Sequence, residues 1–185
     1  MKKFVVSILV VTLLMTSAGA LDLNNMVETL TNSPDYKDVT QEAGESVSSI
    51  INSLLEEDKV NPEDLDWSNV YKIYVTDTDI FSLQSFSKES IISSFDYYIW
   101  CYPTQIDNRN IRVTISKASM PDYNLVERGI ISEQEYNKMV NLTDTWVAPE
   151  GEIDTLKTNE NIENWLRHAG VEETDDIILI GGSPK

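Results

Sequence analysis

Hydrophobic and polar residues alternate in the middle of the chain. In Ile111–Ser116 the apolar residues take every second position, and Arg, Thr and Ser take the positions between them. Because successive side chains of a strand point to opposite faces, this pattern predicts a half-buried antiparallel strand. The segment Tyr97–Tyr102 is aromatic or β-branched on both faces, which favours a central strand. The two strands predict a hairpin. Its loop, Pro103–Asn110, lacks glycine, so we do not expect a tight two-residue turn.

Apolar residues also recur with the helical period in several segments. The strongest stripe belongs to a helix predicted to begin at Thr40, and it comprises Val47, Ile50, Ile51, Leu54 and Leu55. A weaker helical pattern covers Leu21–Leu30. Later helices are predicted to begin at Ser87, at the capping box Ser132–Glu135, and at Thr158 or Asn159, the last of them ending at Gly170. Short apolar runs predict three further strands, Val70–Val75, Thr145–Ala148 and Asp176–Ile180.

The order of these elements predicts an α+β fold. We expect a mixed, mainly antiparallel sheet of four to five strands, with helices packed mostly on one face. The last strand follows a helix and can therefore pair in parallel, whereas Pro149 and Gly151 are expected to stop the strand before them. We divide the chain into a signal peptide (1–20), an N-terminal helical arm (21–60) and an α+β domain (61–185).

The first twenty residues have the pattern of an export signal. Lys2 and Lys3 precede the apolar run Phe4–Met15, and Ala18-Gly19-Ala20 follows as a small-residue cleavage site. We expect cleavage after Ala20 and a secreted, extracellular protein, and the short Lys-Lys start is typical of bacteria. The alternative is an uncleaved anchor, but the apolar run is shorter than the ~20 residues that a membrane-spanning helix needs. We expect no membrane association after cleavage.

The chain is strongly acidic. It carries 31 Asp and Glu against 14 Lys and Arg, a net charge of −17. Without Lys2 and Lys3, 12 basic residues remain against the 31 acidic ones, a net charge of about −19. Such a charge repels phosphate backbones and anionic lipid, so nucleic-acid binding is not expected. It is compatible with cationic partners or divalent ions, although keeping an exported protein soluble explains it more simply.

Cys101 and His168 are each unique in the chain and form the first catalytic pair to consider. A thiol with an imidazole makes a nucleophile and its base. Catalytic thiols favour a helix N-terminus or a basic setting, but Cys101 falls inside an apolar strand, which favours a buried core cysteine. A secreted hydrolase using this pair is therefore the alternative function. G-x-S-x-G and H-E-x-x-H do not occur in the sequence.

Three acidic clusters raise the question of calcium. They are Asp77 with Asp79; Glu63 with Asp64 and Asp66; and Glu172, Glu173, Asp175 and Asp176. Carboxylates are good calcium ligands, but Asp77-Thr78-Asp79 has neither the glycine nor the distal glutamate of an EF-hand loop. Solvated loops explain these clusters better, so we predict no metal site and no cofactor. A calcium-stabilised surface module is the second alternative function.

Aromatic side chains are the best candidates for binding. Tyr98, Trp100 and Tyr102 share one face of the predicted strand, and Trp67 and Trp146 lie beside turns. If that face is exposed, it is an aromatic platform for a ligand, because such rings stack on sugars and anchor protein interfaces. If helices cover it, it is core. We predict a secreted, non-enzymatic binding domain for a protein, peptide or glycan outside the cell.

Overall fold

The structure is a computed structural model, and it describes residues 5–7, 26–57, 59–75, 88–95, 97–154, 163–164, 166–171 and 177–181. The strands are β1 (Val5–Ser7), β2 (Tyr71–Val75), β3 (Tyr97–Ile106), β4 (Arg109–Lys117), β5 (Trp146–Asp154) and β6 (Ile177–Gly181). The helices are α1 (Tyr36–Leu55), α2 (Lys88–Ile92), α3 (Asn124–Glu127) and α4 (Glu133–Asn141). Short 3-10 turns cover Leu30–Asn32 and Pro62–Asp64, and residues 163–164 and 166–168 are also helical.

The strands form one mixed sheet in the order β1-β6-β2-β3-β4-β5. Strands β2 to β5 pair antiparallel, and β6 pairs in parallel with β2. These five strands confirm the predicted α+β fold with its mainly antiparallel sheet. The three residues of β1 pair in parallel with Ile177–Leu179, and they fall inside the predicted signal peptide.

The hairpin β3–β4 turns more tightly than predicted. Both strands continue through the predicted loop, and only Asp107 and Asn108 connect them. These residues have φ of 50° and 62°, the left-handed values that a tight hairpin turn of the I′ type requires. Asn and Asp tolerate this region because their short polar side chains bond locally, so the absence of glycine was not decisive. Lys59 Nζ also lies 2.5 Å from Asp107 Oδ2.

Helix α1 begins four residues before the predicted start and packs on the sheet. Its buried side chains follow a four-residue spacing, at Val39, Ala43, Val47, Ile51 and Leu55. They join one hydrophobic cluster with Trp100, Tyr102, Val113 and Ile115 of the central strands. The helix of the predicted N-terminal arm therefore shares its core with the sheet of the predicted α+β domain.

A second cluster covers the opposite face of the sheet. It contains Tyr71 and Cys101 from the sheet, Leu166 from the last helical segment, and Met26, Val27, Val171, Ile177 and Leu179. Gly170 has φ of 72° and ends that segment, with bonds from Gly170 N to Arg167 O and from Val171 N to Leu166 O. This is a Schellman motif, and it confirms the predicted end of the helix.

Outcomes for the other predicted elements are mixed. The capping box is confirmed, because the Ser132 hydroxyl accepts from Glu135 N and the Glu135 carboxylate accepts from Ser132 N. The weak helix over Leu21–Leu30 is wrong where it can be followed, since residues 26–29 are not helical. The predicted starts at Ser87 and at Thr158 or Asn159 lie outside the described residues.

Strand β5 passes through both residues that were predicted to stop it. It is an edge strand, where proline is tolerated because the missing N–H need not face a neighbour. The pairing with β4 also shifts between Thr114 and Ser116, which accommodates the irregular backbone near Pro149. Gly151 lies where α1 crosses the strand: a Cβ there would lie 2.5 Å from Ile50 Cγ2 and 3.2 Å from Arg112 O.

Replacing Gly151 with alanine is expected to lower the free energy of unfolding by about 1–2 kcal/mol, because overpacking a tight contact forces neighbours to shift. Ile50 is β-branched and cannot easily turn away. Urea denaturation measures the change. The matched control is Gly44→Ala in α1, whose new Cβ would lie 3.6 Å from Pro62 Cβ, an ordinary contact. That variant should gain up to about 1 kcal/mol from helix propensity. Equal effects of the two substitutions would contradict the close crossing of α1 over β5.

Candidate binding groove

A groove of about 770 Å³ opens beside the ends of β2, β3, β4 and β5. Five aromatic side chains line it, together with one aliphatic, two basic and two hydroxyl side chains. They are Tyr74, Phe95, Tyr97, Tyr98, Trp146, Ile92, Lys72, Lys117, Ser116 and Ser119. We call this feature the aromatic groove. Concave sites with mostly apolar walls and a few polar groups are the usual form of ligand sites.

The register of the sheet explains how these side chains meet. Lys72 pairs with Trp100 and Tyr74 pairs with Tyr98 across β2 and β3, so all four lie on the face that α1 covers. The Tyr98 hydroxyl donates to Asp35 Oδ2 at 2.7 Å, directly before the first residue of α1. This bond fixes Tyr98 at the start of the helix. Tyr98 therefore belongs both to the edge of the core and to the wall of the groove.

Lys72 is a buried cation on this face, only 9% exposed. Its ammonium forms an ion pair with Glu28 and lies 4.2 Å from the centre of the Tyr98 ring and 4.9 Å from that of Trp100. Burying an ammonium is costly unless a counter-charge or polarisable groups replace its water. The carboxylate and the ring faces fill that role, so Lys72 is already neutralised.

The aromatic walls contact one another. Tyr74 stacks on Phe95 with ring centres 4.9 Å apart, and Tyr98 lies 5.9 Å from Trp146 in a tilted pair. Such pairs add about 0.5–1.5 kcal/mol each beyond the area they bury. They hold the walls of the groove in fixed orientations, and Tyr97 remains largely exposed at its edge.

Lys117 differs from Lys72 because it is exposed and has no carboxylate partner among the described residues. Its ammonium lies 5.4 Å from the centre of the Trp146 ring, and the two residues are direct partners across β4 and β5. Trp146 N donates to Glu42 Oε2 at 2.8 Å, which ties β5 to α1 at this point. The indole is thus a fixed support for a cation that faces the groove.

Burial raises the pKa of the groove tyrosines. It is the largest cause for Tyr74, whose pKa rises to about 12, with the negative charge of Glu28 and the hydrogen bond to it adding to the shift. Burial also raises the pKa of Tyr98, followed by its hydrogen bond to Asp35. In the core, burial raises the pKa of Tyr102 to about 12. These phenols remain neutral hydrogen-bond donors.

These shifts predict that stability falls at alkaline pH. Above about pH 10 an unfolded chain releases its tyrosine protons, whereas the folded protein keeps those of Tyr74 and Tyr102 until about pH 12. Unfolding then releases protons, so the free energy of unfolding decreases as the pH rises from 10 to 12, and these groups contribute no dependence below that range. Urea denaturation at pH 8 to 11 measures the slope. Tyr74→Phe should reduce it, and an equal slope in that variant would contradict the assignment.

The structure divides the predicted binding residues into two groups. Tyr98 and Trp146 line the groove, although Trp146 is buried rather than exposed beside its turn. Trp100 and Tyr102 are buried under α1, so the exposed three-residue platform is wrong and the helix-covered alternative holds. Trp67 packs edge-on against Tyr102 with ring centres 5.3 Å apart, away from the groove. Whether these residues bind a ligand stays a prediction.

Sequence reasoning missed much of the groove. Lys72, Tyr74, Phe95, Tyr97 and Lys117 were not singled out as binding residues, although they line it. One signal was present: a lysine within the strand Val70–Val75, on the same face as a tyrosine. Its meaning depends on which strand lies next to it, and the periodicity of a single strand does not contain that information.

The residues of the alternative functions lie elsewhere. Cys101, the single cysteine of the chain, is a buried thiol in the cluster with Tyr71 and Leu166. His168 is exposed, and its Nδ1 donates to Asn164 O at 2.7 Å within the last helical segment. Among the residues that the structure describes, no three His, Cys, Asp or Glu side chains come together as a metal site. The acidic residues 77, 79, 172, 173, 175 and 176 lie outside the described part.

A second depression, of about 690 Å³, follows the polar face of α1 and the turn after it. Asn52 lies within it and is already engaged, since its side chain bonds Lys59 N, Val60 N and Val60 O. None of the described residues that line this depression is aromatic. The aromatic groove is therefore the better candidate site.

Comparison with known proteins found no match to this chain among family models, curated proteins or solved structures. No helix within the described ranges is both long and apolar enough to cross a membrane.

Proposed function

We propose that this protein is an exported, non-enzymatic binding domain that takes up an aromatic or apolar group of its ligand in the aromatic groove. The partner is a protein, peptide or glycan outside the cell, and only its aromatic or apolar group needs to enter the groove. The observation that carries the proposal is the groove itself, in which five aromatic rings surround about 770 Å³ of open space. Large aromatic surface in a concave site is typical of binding hot spots.

The chemistry of the lining supports binding rather than catalysis at this place. The ten described residues that line the groove include no carboxylate, imidazole or thiol. Carboxylates, imidazoles and thiols are the commonest general acids, general bases and nucleophiles of enzymes. Tyrosines with raised pKa values add neutral hydrogen-bond donors, which orient a ligand without reacting with it.

Export is part of the proposal and rests on the pattern of residues 1–20. Expression in a bacterial host should release a protein whose mass corresponds to a first residue Leu21. An Ala20→Asp variant should remain at full length, since the cleavage site requires a small residue. A wild-type protein that stays at full length would favour the anchor alternative.

The binding proposal can be tested with a neutral probe, 3-phenylpropanamide. Chemical-shift changes in the ¹H–¹⁵N spectrum should map to residues of the groove and give a dissociation constant. Tyr97 is 58% exposed, so the Tyr97→Ala variant should fold normally. Its affinity for the probe should fall about three- to tenfold, because one aromatic contact is lost. Tyr123→Ala is the matched control, because Tyr123 is 48% exposed and lies outside the groove. Equal weakening by both substitutions, or shifts elsewhere, would contradict the site.

A further inference from the structure

We infer that the aromatic groove selects ligands that combine an aromatic or apolar body with a single carboxylate, and that Lys117 binds this carboxylate. The inference rests on the proposed function and specifies the class of ligand. The described side chains that carry it are Lys117, Lys72, Trp146 and Ser119, all of which line the groove.

The described lining of the groove carries positive charge, although the chain is acidic. The sequence has 31 acidic and 14 basic residues, yet the described residues that line the groove include two lysines and no acidic residue. The nearby carboxylates of Glu28, Asp35 and Glu42 are engaged by Lys72, by the Tyr98 hydroxyl and by Trp146 N. Lys117 has no carboxylate partner among the described residues, so its ammonium is available to an anionic group on the ligand.

The position of Lys117 is fixed by its neighbours. It lies directly across from Trp146, and such cross-strand pairs hold their side chains close together. The ammonium lies 5.4 Å from the centre of the indole ring, at cation–π distance. The stem of Lys117 therefore has less freedom to lose when a carboxylate binds, which favours affinity.

One hydroxyl adds a donor at this end of the groove. Ser119 is exposed and lines the groove two residues after Lys117, whereas the side chain of Ser116 alternates to the opposite face of β4. The Ser119 hydroxyl has no hydrogen-bond partner in the described part of the chain. A carboxylate has about four acceptor sites and can bond an ammonium and a hydroxyl together.

Cationic and doubly anionic ligands fit less well. Aromatic faces attract cations, but Lys117 and Lys72 already lie over Trp146, Tyr98 and Trp100 and would repel a second cation. A phosphate dianion would suffer twice the repulsion from the acidic chain and would find one free ammonium. A monocarboxylate can pair with the ammonium of Lys117 and carries only one negative charge against the acidic chain. Its apolar body would contact Tyr97, Tyr98 and Phe95.

The test compares three probes of one shape on the full chain: 3-phenylpropanoate, 3-phenylpropanamide and 3-phenylpropylamine. Dissociation constants come from ¹H–¹⁵N titrations at 0.15 M salt. The carboxylate should bind about fivefold more tightly than the amide, as a favourable exposed charge pair provides, and the amine should bind most weakly. Lys117→Gln should abolish the difference between the affinities for the carboxylate and the amide. Lys138→Gln on α4, exposed and outside the groove, should retain the difference.

The outcomes separate the two proposals. A carboxylate that binds no more tightly than the amide, or a preference that survives Lys117→Gln, overturns the inference while amide binding still supports the groove. Phenyl phosphate binding more tightly than 3-phenylpropanoate also overturns it. If none of the probes shifts the groove resonances, both the inference and the proposed function fail.

Discussion

Replacing Trp100 with alanine is expected to lower the free energy of unfolding by about 3–5 kcal/mol, the usual cost of deleting a large buried aromatic side chain. Trp100 is fully buried, at 0% exposure, between α1 and the centre of the sheet. Its Nε1 has no hydrogen-bond partner in the described structure, so its removal leaves no hydrogen-bonding group without a partner, although it takes away one of the rings that Lys72 Nζ lies over. The loss comes from apolar contacts and from the cavity left behind, and urea denaturation followed by circular dichroism measures it.

The control for Trp100 is Trp67→Ala. Trp67 is half-buried at the edge of the same cluster, so its removal should cost about 1–2 kcal/mol, less than that of a fully buried ring. Trp100→Phe keeps most of the apolar volume and should lie between wild type and Trp100→Ala. If Trp100→Ala is as stable as Trp67→Ala, α1 does not cover Trp100, and the aromatic platform would have to be reconsidered.

Local patterns predicted the parts of the fold that local forces determine. The alternation of Ile111–Ser116 identified β4, because a strand with one buried face has an apolar residue at every second position. The Ser132–Glu135 capping box identified α4, because its two hydrogen bonds need only residues three positions apart. Gly170 likewise marked the end of the last helical segment.

The wrong predictions concern positions whose conformation depends on a neighbouring helix or strand. Pro149 and Gly151 were expected to end β5, but an edge position tolerates the proline, and the passage of α1 favours a residue without a side chain. At the hairpin turn, Asp107 and Asn108 adopt the left-handed region without glycine. Each outcome depends on context that a single-residue rule does not contain.

The candidate site was only partly predictable for the same reason. Tyr98 and Trp146 were named because large aromatic residues are conspicuous in any sequence. Lys72 and Lys117 were not, because a lysine in a strand normally faces solvent. Their roles follow from the strand register, which sets Lys72 opposite Trp100 and Lys117 opposite Trp146. Register is a property of two strands together.

The Glu28–Lys72 pair provides the second large expected effect. Glu28→Ala should lower the free energy of unfolding by about 2–3 kcal/mol, because it leaves the ammonium of Lys72 in a buried site without its counter-charge. The cost falls below that of a fully buried pair because the Glu28 side chain is 42% exposed and water reaches it. Lys72→Met should be nearly neutral, since an apolar side chain of similar length replaces the cation among the rings of Tyr98 and Trp100.

A double-mutant cycle isolates the interaction between the two residues. If the penalty of Glu28→Ala is that of an uncompensated charge, adding Lys72→Met must remove most of it, and the coupling should be about 2 kcal/mol. Simple additivity of the two changes would contradict the pair. A near-neutral Lys72→Met would further mean that the lysine is not needed for stability. The charge of Lys72 would then contribute to the electrostatics of the groove rather than to stability. Because Glu28 already neutralises Lys72, Lys72→Met should lower the affinity for 3-phenylpropanoate less than Lys117→Gln does.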